Sequence, residues 1–299
     1  RKMDIDLVKL NLNPNSIILL KFIISFIMFG VALEIKIEDF KNLLRKPQNI
    51  FIAFSYHYIL FPFLTYLLIL FFQIKVSIAL GLMMIAVCPA GNLANLFTSM
   101  AHGNIAISVG ITSLTTMLSL FFMSTLLLFL GSKIPGSENI LTTIHLNPQE
   151  MFEGVFLLLA LPLALGILFS RYFSMTAQKI KKIMKTMSFL FLIFFIVGAL
   201  SANYKYFIQY FDLIIGITLL HNLLAFGGSY LWAKAWKSNF YDSKAIVMGS
   251  GIKNTALGLA LVFQFFQGLG GMAMIVAWWG VSQIITGLAL TQILNRIKK

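Results

Sequence analysis

Two short runs of residues interrupt apolar stretches of this sequence and carry the side chains that could do chemistry. The first run, Cys88–Asn95, contains Pro89, Gly91 and two asparagines. Proline removes a backbone donor and glycine loosens the chain, so this run predicts a break in a helix. The second run, Gly249–Thr255, contains two glycines followed by Lys253 and an asparagine, and it predicts a second break. Broken backbone of this kind exposes polar groups that could bind an ion or a small polar molecule.

The elements that must position these runs are long apolar segments. The chain has 299 residues, of which 59% are hydrophobic and 11% are charged, and its mean hydropathy is +0.88. These values exclude a water-soluble domain. The segments are also too long and too evenly apolar for the strands of a β-barrel. We predict an all-α, polytopic membrane protein with nine transmembrane helices, at 17–34, 48–72, 76–100, 104–130, 150–171, 185–202, 209–234, 241–266 and 269–294.

The net charge of +13 follows from the loops between these segments, and no nucleic-acid partner is expected. Most lysines and arginines fall on one set of alternating ends, within 36–46, 171–185, 234–244 and 296–299. Cytoplasmic loops collect such residues, so the pattern predicts a multi-pass protein of the cell (inner) membrane. Residues 1–16 are then an extracytoplasmic segment, and residues 295–299 are a cytoplasmic tail.

The two predicted breaks fall in the third and the eighth apolar segments. A separation of five segments is the pattern expected of two inverted repeats of which the first lacks its opening helix. Interrupted helices at matching positions of two halves indicate the midplane binding site of a transporter. The alternative is that these glycines, prolines and asparagines serve only helix packing.

Several motifs surround the two runs in a fixed order. They are Met28-Phe29-Gly30-Val31-Ala32-Leu33 with Glu38-Asp39-Phe40 and Pro47, then Cys88–Asn95, Ala101–Ser108 with Thr112, His221-Asn222, and Gly251 with Asn254. In order and spacing they resemble the bile acid:sodium symporter family over nearly the whole chain. The resemblance implies a panel domain at 17–34 and 150–202 and a core domain at 48–130 and 209–294. The core would hold two crossed discontinuous helices, and the two domains would move against each other for alternating access.

The resemblance also implies two sodium sites, from which this chain departs. Asn95, Ser108 and Thr112 stand where oxygen ligands of the first site are expected. The serine expected before Asn95 is an alanine, and the glutamate that the two sites share is Gly249. The first site therefore loses its only formal charge, and these three residues form at most a residual ion-binding site.

At the second site, the two glutamines of the family are replaced by Lys253 and His57. One glutamate with two sodium ions carries the same net charge as one lysine, so we hypothesise that the Lys253 ammonium replaces the second ion. Lys253 lies about 12 residues from either end of its segment, roughly 18 Å of helix, which is too far for its side chain to reach an interface. Both residues are candidates for coupling, because each can exchange a proton in a suitable environment. A hydrogen-bonded core histidine is the alternative for His57.

The substrate is expected at the breaks, bound by Gly91, Asn92, Lys253, Asn254 and Gln283, where helix amino termini favour an anion. The predicted function is secondary active transport of an organic anion, either bile-acid-like or a small carboxylate. It would be sodium-independent and proton-coupled or exchanging. The alternative is a sodium-coupled symporter that uses the residual first site.

A channel or a sensor built on the same fold is a further alternative. No catalytic residues, no metal site and no cofactor other than Na⁺ or H⁺ as coupling ion are expected. An enzyme is not expected either, since no apolar segment carries paired carboxylates or a nucleophile with a base. The expected partners are the lipid bilayer and the small organic anion, and a monomer is compatible with the sequence.

Overall fold

A computed structural model describes residues 5–7, 14–33, 47–143, 148–202 and 204–297. Within these ranges all regular structure is helical, with a single isolated β-bridge. The predicted all-α polytopic class is therefore confirmed. The motif Glu38-Asp39-Phe40 and the basic loop residues at 36–46 lie outside the described residues.

We number the long helices α1 to α9 and give the halves of an interrupted helix the letters a and b. They are α1 (Pro14–Ala32), α2 (Pro47–Phe72), α3a (Val76–Val87), α3b (Leu93–Met100), α4 (Ile105–Gly131), α5 (Pro148–Tyr172), α6 (Ser174–Ala202), α7 (Phe211–Ala235), α8a (Phe240–Gly251), α8b (Thr255–Phe265) and α9 (Gly270–Arg296). Shorter helical turns lie at Ile5–Leu7, Ser137–Thr143 and Tyr204–Gln209.

Five helices in the described part of the chain are long and apolar enough to cross a membrane, namely α2, α4, α5, α7 and α9. Apolar helices that are too short to cross alone occur at Lys21–Ala32, Val76–Val87 and Thr255–Phe265. The last two are halves of the interrupted helices α3 and α8. Both predicted breaks are thus present in the structure.

The amino-terminal parts of α6 and α8 differ from expectation. Helix α6 begins at Ser174, eleven residues before the predicted segment. Its first turns are rich in lysine, so a prediction based on apolar residues alone does not include them. Lys244 was predicted on a basic loop, but it is 5% exposed within α8a. Its Nζ donates to the carbonyl of Ala101 (2.7 Å) and lies 4.4 Å from the centre of the Phe240 ring. A carbonyl at the end of α3b thus satisfies a charge that hydropathy alone assigns to solvent.

The helices pack in two groups around the interrupted pair. Helix α1 packs along α5 and also contacts α6. The halves of α3 and α8 pack among α2, α4, α7 and α9, and α8b touches α1. Helix α3a is almost fully enclosed, since every residue from Ser77 to Cys88 is buried. The interrupted helices are therefore enclosed by protein at their breaks.

Helix α2 contains a π-helical turn at Tyr56–Leu60. Pro62 has no backbone N–H to donate to the carbonyl of Tyr58, so the regular α-helical ladder cannot continue there. Instead the N–H of Phe61 donates to the carbonyl of Tyr56, five residues earlier. π-Helical turns inside α-helices occur frequently at functional sites.

The widened turn buries three consecutive side chains, Tyr56, His57 and Tyr58, which a regular helix would spread around its circumference. The Tyr56 hydroxyl donates to the carbonyl of Leu224 in α7, and the Tyr58 hydroxyl donates to the carbonyl of Thr115 in α4. These two anchors fix the rotation of the turn. His57 is thereby held facing the break in α3.

Candidate functional site

The breaks in α3 and α8 contact each other through their backbones. The N–H of Gly91 donates to the carbonyl of Ile252 (2.9 Å), and the N–H of Asn254 donates to the carbonyl of Pro89 (2.9 Å). A Cβ atom on Gly91 would lie 2.9 Å from the carbonyl oxygen of Lys253, so this close approach requires glycine. The two unwound segments therefore supply hydrogen-bond partners to each other's backbones.

A cavity of about 390 Å³ lies beside this junction, and all five predicted substrate residues line it: Gly91, Asn92, Lys253, Asn254 and Gln283. Helices α3b and α8b both begin here, at Leu93 and Thr255. The N–H groups of Ala94, Asn95 and Leu257 already have acceptors at these starts. The two helix starts therefore favour an anion through the positive end of the helix dipole. The cavity thus has the polarity expected of an anion site.

The polar groups of the cavity are partly engaged. Gln283 Oε1 accepts from the backbone N–H of Lys253 (2.8 Å), which fixes the side chain across the break. Asn254 Oδ1 accepts from the N–H of Leu257 (3.2 Å) and caps α8b. The Asn92 side chain makes no capping bond to α3b. The Asn92 amide and the Asn254 amino group therefore remain for a bound molecule.

The ammonium group of Lys253 lies behind the junction. Lys253 is 1% exposed, and its Nζ donates to the carbonyls of Ala86 (3.3 Å) and Cys88 (3.5 Å) at the end of α3a. It also lies 4.9 Å from the centre of the Phe61 ring. The carbonyls at the carboxyl end of a helix lack intrahelical donors and carry negative partial charge, so they stabilise a cation. Lys253 thus forms part of the cavity wall, while its ammonium group lies behind that wall, at the end of α3a.

His57 is the second group around this ammonium. Its Nε2 is 2.9 Å from the carbonyl oxygen of Cys88, and because a carbonyl only accepts, Nε2 carries the proton. Lys253 Nζ lies 3.1 Å from Nε2 and 3.3 Å from Nδ1. Since Nε2 carries the proton, Nδ1 is the ring nitrogen that can accept from the ammonium. Within the described residues no carboxylate is recorded against either side chain. The pair therefore carries one positive charge when the imidazole is neutral.

Asn95, Ser108 and Thr112 form one hydrogen-bonded cluster. Asn95 Oδ1 accepts from the hydroxyl of Ser108 (2.8 Å) and lies 3.2 Å from the hydroxyl of Thr112. Ser108 Oγ in turn accepts from the hydroxyl of Thr98 (3.1 Å). The structure thus brings together the three residues predicted for the first ion site, as a neutral cluster whose oxygens satisfy one another.

Gly249 packs against Ile111 of α4. A Cβ atom on Gly249 would lie 2.9 Å from Cγ2 of Ile111. The isoleucine side chain occupies the space into which a larger residue at 249 would extend. A carboxylate could not be accommodated there without repacking, which is consistent with a first site that has lost its charge.

His221, part of another motif in the sequence, serves a structural purpose. Its Nδ1 accepts from the indole N–H of Trp279 (3.0 Å), and its Nε2 lies 2.9 Å from the hydroxyl of Thr65. An indole nitrogen only donates, so His221 Nδ1 is unprotonated in this arrangement. His221 is held as a neutral link between α2, α7 and α9.

Sequence reasoning missed the residues that α6 contributes to the cavity. Lys182 and Thr186 line it, together with Ile27 and Val31 of α1. The charge pattern of the sequence predicts Lys182 on a basic loop, within 171–185. The one available signal was the spacing of Lys182 and Thr186, four residues apart on one helix face, and it does not reveal what that face meets.

An apolar helical bundle in which two interrupted helices meet beside a cavity defines a class of polytopic membrane transport proteins. The chain belongs to the sodium bile acid symporter family, whose model matches residues 21–210. The resemblance noted in the sequence is therefore confirmed.

Named relatives of the chain are transporters. The uncharacterized sodium-dependent transporter YocS of Bacillus subtilis is 27% identical over 261 residues, which cover 87% of this chain and 78% of YocS. The probable chloroplastic sodium/metabolite cotransporter BASS2 of rice is 24% identical over 273 residues, or 85% of this chain and 62% of that protein. The sodium-dependent organic anion transporter of Bos taurus is 24% identical over 274 residues, or 85% and 71%.

Proposed function

We propose that the protein is a secondary active transporter of organic anions that works by alternating access, with the Lys253 ammonium in place of a coupling cation. The observation that carries this proposal is the position of Lys253 Nζ. A buried ammonium bound to the carbonyls of Ala86 and Cys88 lies directly behind the bridged breaks. Carbonyl oxygens of this kind are also ligands for alkali cations, so a fixed charge there can substitute for an ion.

The energetics favour a functional reason for this charge. A charged lysine at the centre of a membrane helix costs on the order of 3 kcal/mol on insertion scales. Hydrogen bonds to a charged donor and the aromatic face of Phe61 offset part of this cost, at about 1.5 to 3 and about 1 to 2 kcal/mol respectively. Ionisable residues at such depth typically mark ion, proton or substrate pathways.

We further propose nine crossings arranged as two inverted repeats, with α3 and α8 as the crossed pair. The packing of α1 against α5 and α6 supports a panel domain made of these three helices. The remaining helices would form the core domain, and the cavity would lie where α1 and α6 approach the junction. With the carboxyl terminus in the cytoplasm, this cavity opens on the cytoplasmic side.

The proposed substrate is an amphipathic organic anion or a small carboxylate. Helix starts at Leu93 and Thr255, with the amides of Asn92 and Asn254, would bind its polar groups. The family description names bile acids, and the bovine relative is named for organic anions. A thermal-shift screen of carboxylates and sulfonates would identify the substrate, because a ligand that binds only the folded state raises the unfolding temperature.

Uptake of the identified anion into proteoliposomes tests the coupling. Wild-type protein is expected to transport equally well with sodium or potassium outside, and an imposed pH gradient is expected to drive accumulation. Lys253→Gln removes the fixed charge and is expected to abolish uptake in potassium. Sodium-driven uptake by the wild type would contradict the substitution of an ion by Lys253.

Lys244→Met provides a matched control. Lys244, in α8a, is a second buried lysine of α8, and its Nζ also contacts a carbonyl and an aromatic ring, but these lie at the end of α3b and not at the break. If any buried lysine of this helix were needed only for folding, both variants would lose uptake and stability together. Loss of uptake in Lys253→Gln with retained uptake in Lys244→Met supports the assigned role.

A sodium-coupled symporter is the second candidate, favoured by the convergence of Asn95, Ser108 and Thr112. Two relatives of the chain, from Bacillus subtilis and Bos taurus, are named as sodium-dependent transporters. Ser108→Ala separates the two candidates because it removes one oxygen of the cluster and leaves Lys253 unchanged. Sodium coupling predicts that this variant loses its response to sodium, whereas the Lys253 proposal predicts sodium-independent uptake in both proteins.

A further inference from the structure

We infer that Lys182 of α6 is the anion-recognising residue of the cavity and binds the acidic group of the transported molecule from the wall that α6 contributes. This inference rests on the proposed function, since it assigns a residue to that same site. It places the acid group at Lys182 and the remainder of the molecule against the junction.

The first support is the position of Lys182. It lines the cavity and is exposed, and the hydroxyl of Thr186, one turn later and also in the lining, donates to its carbonyl (3.1 Å). Among the described residues no ion-pair partner is recorded for Lys182. Its ammonium is thus available to a ligand.

The second support is that the ammonium of Lys253, the other lysine in the lining, already has its own contacts. The Lys253 ammonium is 1% exposed and contacts His57 and two carbonyls behind the junction. It therefore does not offer its donors to the cavity in this conformation. Among the lining residues that the structure describes, Lys182 is the cation that can meet an anion directly.

The third support is the character of the remaining wall. Ile27, Val31, Leu93, Leu96 and Ile252 line the cavity, and no carboxylate is among the lining residues within the described ranges. Such a wall buries an apolar body, while a single cation at one side orients one acid group. The chemistry fits an amphipathic monoanion, with a carboxylate or sulfonate at one end and an apolar body.

Helix α6 supplies a matched control. Lys181 precedes Lys182 and carries the same charge on the same turn, but it does not line the cavity. Lys181→Gln changes the net charge of the protein as Lys182→Gln does. Any effect confined to Lys182→Gln therefore arises from the cavity.

The cavity potential can be measured without a substrate. Leu96→Cys places a reporter thiol in the lining at a position that is 43% exposed, and the native Cys88 is fully buried. The reporter reacts with an anionic probe, 2-sulfonatoethyl methanethiosulfonate, and with a cationic probe, 2-(trimethylammonium)ethyl methanethiosulfonate. The protein without Leu96→Cys gives the background rate.

The expected result is a fall of about fivefold in the anionic-to-cationic rate ratio when Lys182→Gln is added, because one charge acts oppositely on the two probes. Lys181→Gln should leave the ratio unchanged, and Lys182→Arg should preserve it. If Lys182→Gln left the anionic-to-cationic rate ratio of the Leu96→Cys protein unchanged, the inference would be overturned.

Protection by taurocholate links this potential to binding. Taurocholate should slow labelling of Leu96→Cys, with an apparent affinity about tenfold weaker in Lys182→Gln and recovered in Lys182→Arg. Undiminished protection in Lys182→Gln would also overturn the inference. A third outcome is that Lys182→Gln changes the rate ratio but taurocholate does not slow labelling of the Leu96→Cys protein that retains Lys182. This would contradict the proposed bile-acid-like substrate, and not the charge assigned to Lys182.

Discussion

The ammonium nitrogen of Lys253 lies 3.1 Å from Nε2 and 3.3 Å from Nδ1 of His57, and both side chains are buried. An imidazole nitrogen accepts from an ammonium only when that nitrogen is unprotonated. Two full charges at this separation inside protein would repel strongly. Gain or loss of one proton therefore changes the net charge directly behind the bridged helix breaks.

Replacement of Lys253 by methionine should separate stability from transport. Lys253→Met keeps a long side chain but removes a buried charge that costs on the order of 3 kcal/mol and hydrogen bonds of similar total value. We expect the free energy of unfolding to stay within about 2 kcal/mol of the wild type and uptake to be lost. Thermal unfolding in detergent and proteoliposome uptake measure the two quantities. Full uptake by the variant would contradict a coupling role.

The two histidines that are buried in the described part of the chain should respond differently to the same substitution. His57→Gln can still donate an amide N–H to the carbonyl of Cys88, so we expect uptake that persists but no longer follows an imposed pH gradient. His221→Gln breaks the link from Thr65 to Trp279 and should cost about 1 to 3 kcal/mol of stability without changing the pH dependence. Uptake measured across a series of pH gradients distinguishes them. An unchanged pH response in His57→Gln would exclude the proton role.

The close approach at Gly91 should not tolerate a methyl group. Gly91→Ala places Cβ 2.9 Å from the carbonyl oxygen of Lys253, so both backbones must shift, at a cost of about 1 to 3 kcal/mol. We expect uptake to fall at least about tenfold. The control is Gly216→Ala in α7, where a Cβ meets nothing within 4 Å, and where alanine should raise stability by about 0.5 to 1 kcal/mol. Equal uptake by the two variants would show that the backbones at the junction can move apart without loss of transport.

Asp242 should be a stability determinant away from the cavity. This carboxylate is 2% exposed and accepts from the side-chain amides of Asn49 (2.8 Å), Asn104 (2.7 Å) and Asn239 (2.6 Å). Asp242→Asn sets an amino group against amide donors and should cost about 2 to 4 kcal/mol. Asp212→Asn, at an exposed position, should change stability by about 0.5 kcal/mol or less. Chemical denaturation of both variants provides the comparison.

The breaks in the helices could be predicted from sequence because they depend on local chemistry. Pro89 and Gly91 disfavour a continuous helix wherever they occur, and the glycines beside Lys253 do the same for α8. That each break supplies the hydrogen-bond partners of the other depends on contacts between residues about 160 positions apart. Only the resemblance to a family indicated that the two would meet.

The lysines show where hydropathy fails. Lys182 and Lys244 were both assigned to basic loops, since a charge near the end of an apolar segment usually lies in water. The structure places Lys182 on a cavity wall and buries Lys244 against the carbonyl of Ala101. Which face of a helix meets protein, lipid or a cavity is set by packing between distant elements. A single sequence does not encode this in any local pattern.

The reciprocal bonds between Gly91 and Ile252 and between Asn254 and Pro89 have a mechanical consequence. Any sliding of α3 along α8 breaks both bonds, at a cost of about 1 to 3 kcal/mol for each backbone group that is left buried and unpaired. The four half-helices should therefore move as one stiff body. The compliance that a transport cycle needs must come from the apolar surfaces of α1, α5 and α6, where displacement exchanges one weak contact for another.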